Sequence, residues 1–301
     1  MTVLTVVHRT TYLYARPVRF GAHRMMMRPR DSYDLRLLAT GLTVRPAAQL
    51  RWRDDVFGNS VAIAQFDADA TELFVESMFQ AEHYPLPESQ VVIEDYARTW
   101  PFPYDSSDIP DLSRTIERHY PDPAHKVGPW ARRFVEATPD NDTLSILTAM
   151  VKAIPAELTY NPRDEMGTQS PVTTLTGGTG TCRDFALLMM EAARSLGFAA
   201  RFVSGYLYDA DKIGSGKDTV VGAGATHAWA QIYLPGAGWV PFDPTNALVS
   251  DRNLIRVAVT RDPTQAIPLA GSFTGGPHDF LGMDVSVEIT AGTIAAKSGG
   301  A

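Results

Sequence analysis

The sequence predicts an α+β fold in which an N-terminal all-β, sandwich-like module precedes a mixed core. Three observations carry this. Residues 1–82 alternate apolar and polar positions in short runs separated by turn residues, the pattern of half-buried strands. Farther on, Phe185, Leu188, Met189, Ala192 and Leu196 recur at the spacing of one helix face. Beyond that helix, extended runs return with glycine-marked turns between them, so helix and strand are mixed rather than strictly alternating.

Taken in order, Val3–Tyr14, rich in Val, Thr and Tyr, and the similar Leu35–Arg45 read as strands. Gly58-Asn59 marks a turn before a strand at Val61–Phe66, and Glu72–Ala81 gives one more. The arginines between Arg24 and Arg36 read as a solvated face. Tyr84-Pro85-Leu86-Pro87-Glu88 opens a proline-rich connector that runs to about Pro123. Helices are expected over Ala131–Ala137 and over Thr143–Ala153, the second capped by Asp142. The helix that begins at Cys182 stops at Gly197, a residue suited to the left-handed conformation of a helix end. Ala199–Tyr208, His227–Leu234 and Trp239–Asp243 read as strands, with a glycine-rich loop at Gly214–Ala225 and a turn at Pro235-Gly236-Ala237-Gly238. After Pro263 the chain reads as loop until a strand at Met283–Thr290, and Ala295–Ala301 as a disordered tail. The expected organisation is a β module over 1–83, a connector over 84–130, a core over 131–250 and C-terminal strands with a tail over 251–301.

Composition narrows the function. With 45% hydrophobic and 20% charged residues, the chain has the make-up of a globular protein. Its net charge of -7 argues against nucleic acid as a partner. His8-Arg9 interrupts the apolar start before a signal core forms, and no uncharged apolar run is long enough to span a bilayer, so neither a leader nor a membrane is expected. A single cysteine excludes an internal disulfide, and a free thiol persists most easily in the cytoplasm, which is the expected location. The histidines show no metal-ligand spacing, and no cofactor motif is complete. Gly177-Gly178-Thr179-Gly180 lacks the Lys of a phosphate loop, and Asp209 and Asp211 lack the ligand ladder of a calcium loop. Neither a cofactor nor a metal is expected.

The chemistry-bearing residues are Cys182, His227 and Asp243. A thiol is a useful nucleophile only as thiolate, and a helix N-terminus and a nearby imidazolium both favour that anion. Cys182 stands at a predicted helix start; His227 folded against it supplies the cation and then the proton for a leaving amine, with Asp243 fixing the ring. Each residue taken singly has a plainer reading: a small buried core residue, a structural histidine and a turn aspartate. The pairing is also awkward. A hairpin closing symmetrically about Gly236 and Ala237 sets Ala230 opposite Asp243, so a register shift or bulge is needed to bring the carboxylate to His227.

Gly-Thr-Cys-Arg-Asp-Phe-Ala around Cys182, Phe202-Val203-Ser204-Gly205-Tyr206, His227-Ala228-Trp229 and Gly238-Trp239-Val240-Pro241-Phe242-Asp243-Pro244-Thr245-Asn246 together resemble the core of the transglutaminase-like superfamily. Tyr12-Leu13-Tyr14, Met27-Arg28-Pro29-Arg30 and Asp55-Val56-Phe57-Gly58-Asn59 resemble the bacterial transglutaminase-like N-terminal region. The resemblance covers nearly the whole chain. It implies a papain-like core, with the nucleophile helix packed on an antiparallel sheet that carries the other two residues. It also implies Cys182 as nucleophile, His227 as base and Asp243 as orienting carboxylate.

An oxyanion needs donors. The Cys182 N–H is one, and Tyr160 is a side-chain candidate whose other reading is core packing. Trp229 and Asn246 are further candidates to line the substrate site, against core packing for the tryptophan and turn capping for the asparagine. The functional expectation is amide hydrolysis or acyl transfer through a Cys182 thioester on a peptide-like substrate, with a cysteine protease or amidase ahead. An amine-accepting cross-linker and a non-catalytic peptide-binding module are the alternatives. Substrate identity and oligomeric state are not legible, and the loop Gly214–Ala225 reads either as a lid before His227 or as an ordinary surface loop.

Overall fold

The computed structural model describes residues 2–84, 90–163, 167–208, 226–249 and 253–291. The expectations for the loop 214–225, for Asp209 and Asp211 and for the tail 295–301 lie outside them. Six strands come first: β1 (Thr2–Phe20), β2 (His23–Arg28), β3 (Leu35–Arg45), β4 (Ala48–Asp54), β5 (Ser60–Phe66) and β6 (Ala70–His83). Then follow α1 (Ile109–Ile116), α2 (Val127–Ala137), α3 (Thr143–Glu157), β7 (Thr159–Tyr160), α4 (Pro171–Gly177), β8 (Thr179–Gly180) and α5 (Cys182–Ser195). The remainder is β9 (Ala200–Leu207), β10 (Thr226–Leu234), β11 (Gly238–Asp243), β12 (Leu248–Val249), β13 (Leu254–Thr260), β14 (Leu269–Ala270), β15 (Phe273–Thr274) and β16 (Phe280–Ala291).

Apart from the short parallel pair of β7 and β8, the strands form three antiparallel sheets. In the first, β1 lies between β6 and the C-terminal β16, with β3 beyond β6 and β15 at the far end of β1. The second runs β14-β2-β5-β4, and the third runs β12-β11-β10-β9-β13. Tyr14, Val18, Leu73 and Val75 of the first sheet pack on Met25, Met27, Ala62 and Ala64 of the second, which makes the N-terminal module sandwich-like. The opposite side of the second sheet belongs to the core, because Met26 and Val61 join the cluster around α5. Strand alternation explains this division: odd-numbered methionines face one layer and the even-numbered one faces the other. The first sheet reaches the core through Leu4, Val6, Phe79 and Ala81, packed with Tyr206 of β9, Tyr208 just past its end, and Ile255 and Val257 of β13.

Helix α5 lies on the third sheet. Phe185, Leu188, Met189 and Ala192 share one cluster with Phe202, Ala228, Ala230 and Ile232, and α2 and α3 close over the helix. The fold is therefore α+β, with a helix-on-sheet core and a β-rich N-terminal region. Several elements depart from the sequence reading. The Arg24–Arg36 segment is not simply a solvated face, since it contains β2 with Met25, Met26 and Met27 buried. Residues 90–126 are no loose connector: they contain α1, bury Ile93, Tyr104 and Leu112, and the Trp100 indole N–H donates to the Leu196 carbonyl at 2.8 Å. Helix α2 begins at Val127, and α3 runs past the expected end at Ala153 to Glu157 with Pro155 inside its last turn. Helix α4, with Ser170 as N-cap and Pro171 at its first position, was not anticipated at all.

Candidate active site

Cys182 is the first residue of α5, and its free thiol is buried, with the residue 8% exposed. The helix start is fixed from one side by Asp184. Its carboxylate accepts from the Thr181 N–H at 2.8 Å and the Thr181 hydroxyl at 2.9 Å, reciprocating the N-cap. It also accepts from Arg163 at 2.7 and 3.2 Å and from the Gln169 N–H at 2.7 Å. Burial would raise the Asp184 pKa, yet these donors hold it below the ordinary value. Gly180 makes the approach feasible, because a Cβ there would meet Asp184 and Phe185 at 3.0 Å. The helix geometry leaves the first-turn N–H groups, that of Cys182 included, without intrahelical acceptors.

His227 lies near the start of β10, paired with Gly205 of β9. The hairpin from β10 to β11 does not close about Gly236 and Ala237 as expected. Its loop is the three residues Pro235-Gly236-Ala237, with Leu234 paired to Gly238, and Gly236 and Gly238 adopt φ of 89° and 72°. The register moves by one residue, so Ala230 faces Phe242 instead of Asp243. A shift of one residue reverses the face of every side chain. Asp243 consequently projects from the same face as His227, and the imidazole Nε2 stands 2.9 Å from Asp243 Oδ2. The three-residue loop supplies the shift that the symmetric hairpin lacked.

Asp243 is itself held on both oxygens. The Thr245 N–H donates to Oδ1 at 2.9 Å, and Asn246 Nδ2 donates to Oδ2 at 2.9 Å. Burial alone would push this carboxyl pKa up, but His227, Asn246 and Thr245 bring it below the usual range. For His227, burial favours the neutral ring. The charge and hydrogen bond of Asp243, with smaller contributions from Cys182, outweigh burial and raise the pKa to about 10. The other ring nitrogen, Nδ1, has no hydrogen-bond partner of normal geometry among the described residues and is the one left to serve the thiol. A buried imidazolium held by a carboxylate beside a thiol at a helix start is an arrangement suited to nucleophilic acyl transfer.

The remaining expected site residues divide. Tyr160 is half-buried in β7, which pairs in parallel with β8 just before Cys182, and its ring meets Phe185 edge-on at 6.3 Å. Burial and the charge on Cys182 raise its phenol pKa, so it stands near the nucleophile as a neutral O–H. Asn246 acts on Asp243 rather than merely capping the turn. Trp229 is a core residue and not a cleft wall: it is 1% exposed, packed with Val203, Leu207, Leu254 and Val259, and stacked 6.1 Å from His227. Asp184 and Arg163 were missed, although Thr181-x-x-Asp184 is a capping signature readable from sequence.

Comparison with known proteins agrees with this architecture. Residues 130–244 match the transglutaminase-like superfamily, and residues 4–82 match the bacterial transglutaminase-like N-terminal region. An uncharacterized protein of Mycobacterium leprae is 29% identical over 292 residues, spanning 95% of this chain and 98% of that protein. An uncharacterized protein of Mycobacterium tuberculosis H37Rv is 28% identical, spanning 94% and 91%. Among solved structures, a Cytophaga hutchinsonii protein provisionally described as a cysteine protease superposes with a TM-score of 0.70 at 19% identity, covering 98% of this chain and 92% of that one.

Proposed function

Because the chain belongs to the transglutaminase-like superfamily, we propose that it opens amide bonds of peptide-like substrates through a Cys182 thioester, as a cysteine protease or amidase. The observation that carries this reading is the buried 2.9 Å pair of His227 and Asp243 beside the thiol at the start of α5. In the first half-reaction the Cys182 thiolate attacks the carbonyl carbon, and the oxyanion takes hydrogen bonds from the helix N-terminus, the Cys182 N–H among them. His227 gives its proton to the amine, the C–N bond breaks, and the acyl group stays on sulfur. In the second, His227 removes a proton from water as the water oxygen attacks the thioester, which releases the acid and regenerates the Cys182 thiolate beside the His227 imidazolium. Asp243 keeps the ring oriented and stabilises its charged form throughout. The description of the Cytophaga hutchinsonii protein points to the same class.

Two measurements test the proposal. Intact-mass labelling with iodoacetamide from about pH 5 to 9 should give one rapid adduct well below pH 8 in the wild type and a slower one in His227→Ala. Labelling of the wild type that follows an ordinary thiol, or none in the folded state, counts against an assembled pair. Peptide amide hydrolysis should fall at least about 100-fold in His227→Ala. If added primary amine is incorporated while hydrolysis stays negligible, the acceptor is an amine and the protein is a cross-linker.

A further inference from the structure

Away from Cys182, a cavity of about 220 Å³ opens between the first two sheets, where their edge strands β3 and β4 diverge. Thr40 and Leu42 face it from β3, Leu50 and Trp52 from β4, and Arg28 from β2. Arg28 reaches it because of a register shift. Met25 pairs with Ala62 but Arg28 pairs with Ser60, so one extra residue lies on β2 between them. Without that residue Arg28 would share the face of Met26, which points into the core. The bulge turns its guanidinium toward the cavity instead, where it lies 5.5 Å from the centre of the Trp52 ring.

Arg28 is half-buried and has no ion pair and no hydrogen bond among the described residues. This is unusual in a chain with 34 acidic against 27 basic residues, where carboxylates are plentiful. Around it Leu42, Leu50 and Trp52 give an apolar wall beside the hydroxyls of Thr40 and Ser77, and β3 and β4 each pair on one side only, leaving backbone edges open among the described residues.

We propose that this cavity binds the C-terminal carboxylate of an extended peptide whose last side chain is apolar. The guanidinium fork takes the carboxylate, the side chain fills the space between Leu42, Leu50 and Trp52, and the peptide backbone runs along an open strand edge. The size fits one residue: sites that enclose a whole small molecule span about 300–1,000 Å³. An Asp or Glu side chain suits it less, because nothing apolar accompanies its carboxylate. The site is independent of the chemistry at Cys182.

The test is fluorescence anisotropy with a labelled pentapeptide ending in leucine, as free acid and as C-terminal amide. The full chain is used with Cys182→Ala, so that the probe is not consumed. The acid should bind, with the amide about tenfold or more weaker. Arg28→Gln should cost the acid the same factor and leave the amide unchanged. Thr40→Phe, which fills the cavity from a strand position that accepts aromatic residues, should abolish binding of the acid. Equal binding of acid and amide, binding of neither, or an unchanged acid affinity in both variants overturns the proposal. So does binding of decanoate without the peptide, which assigns the cavity to a free amphiphile.

Discussion

Asp184 joins three pieces of chain at the point where α5 begins: the N-cap Thr181, Arg163 and the backbone of Gln169. Replacing it with Asn keeps the shape but leaves Arg163 facing a neutral group in a buried place. Asp184→Asn should therefore lose about 3 kcal/mol in urea unfolding and slow alkylation of Cys182. Since the native carboxyl pKa is lowered, its contribution is complete above the unfolded value near pH 4 and disappears as pH falls through the native one. The wild-type advantage over the variant should shrink on that acid limb and nowhere above it. At this scale the sequence order of Cys182, His227 and Asp243 was legible, as was the need for a shifted register. The shift itself was not, because it depends on which residues of Pro235-Gly236-Ala237-Gly238 close the loop, and a turn signal does not count them. Burial of Trp229 was equally invisible: a tryptophan two residues from a histidine faces the same way, but the sequence does not say what covers it.

Elements with strong local signals were readable and short ones were not. Asp142 caps α3, donating nothing and accepting from the Ser145 N–H at 2.8 Å, and the apolar stripe of α5 ends at Gly197 as its spacing implied. Helices α1 and α4 span 8 and 7 residues within proline-containing stretches, too short for a periodic signal. Strand β2 was hidden because its flanking arginines mask the buried methionines. The turn at Asp55–Asn59 was legible, but not its second role: Asn59 donates to the Val259 carbonyl at 2.7 Å and accepts from the Val259 N–H at 2.9 Å, pinning the module to β13. A further seam lies between β1, β6 and β9, where His8 meets the Tyr206 hydroxyl at 2.9 Å and His83 meets that of Tyr208 at 2.7 Å. Burial lowers both histidines to about 4. For a lowered histidine, stability is intact above the unfolded pKa near 6.5 and is lost as pH falls through the native value. Between those values each should steepen the loss by up to about 1.4 kcal/mol per pH unit. Urea midpoints measured across that window should flatten in the His8→Gln, His83→Gln double variant; an unchanged slope would remove the two histidines from the acid response.

For the whole molecule, local patterns could not reveal which distant strands meet. The sequence reading ended the core near residue 250 and treated the rest as an appendage. In the structure β13 extends the core sheet beside β9, while β14, β15 and β16 return to the two N-terminal sheets. Pairing that runs along β1 from Leu4 with Ala291 to Tyr14 with Phe280 spans almost the full sequence, and no nearby residue encodes it. A chain ending at Gly276 should accordingly bare one side of β1 and either precipitate or bind a hydrophobic dye; a soluble product with the parent's unfolding midpoint would show β16 to be dispensable. The same pairing sets a timetable during translation. Strand β1 leaves the ribosome well before its neighbour β16, which follows roughly 15 to 55 seconds later at ordinary elongation rates. The first sheet thus starts to emerge before the core sheet and closes after it, and throughout that wait its central strand has an unpaired side for chaperones, or for other nascent chains, to find.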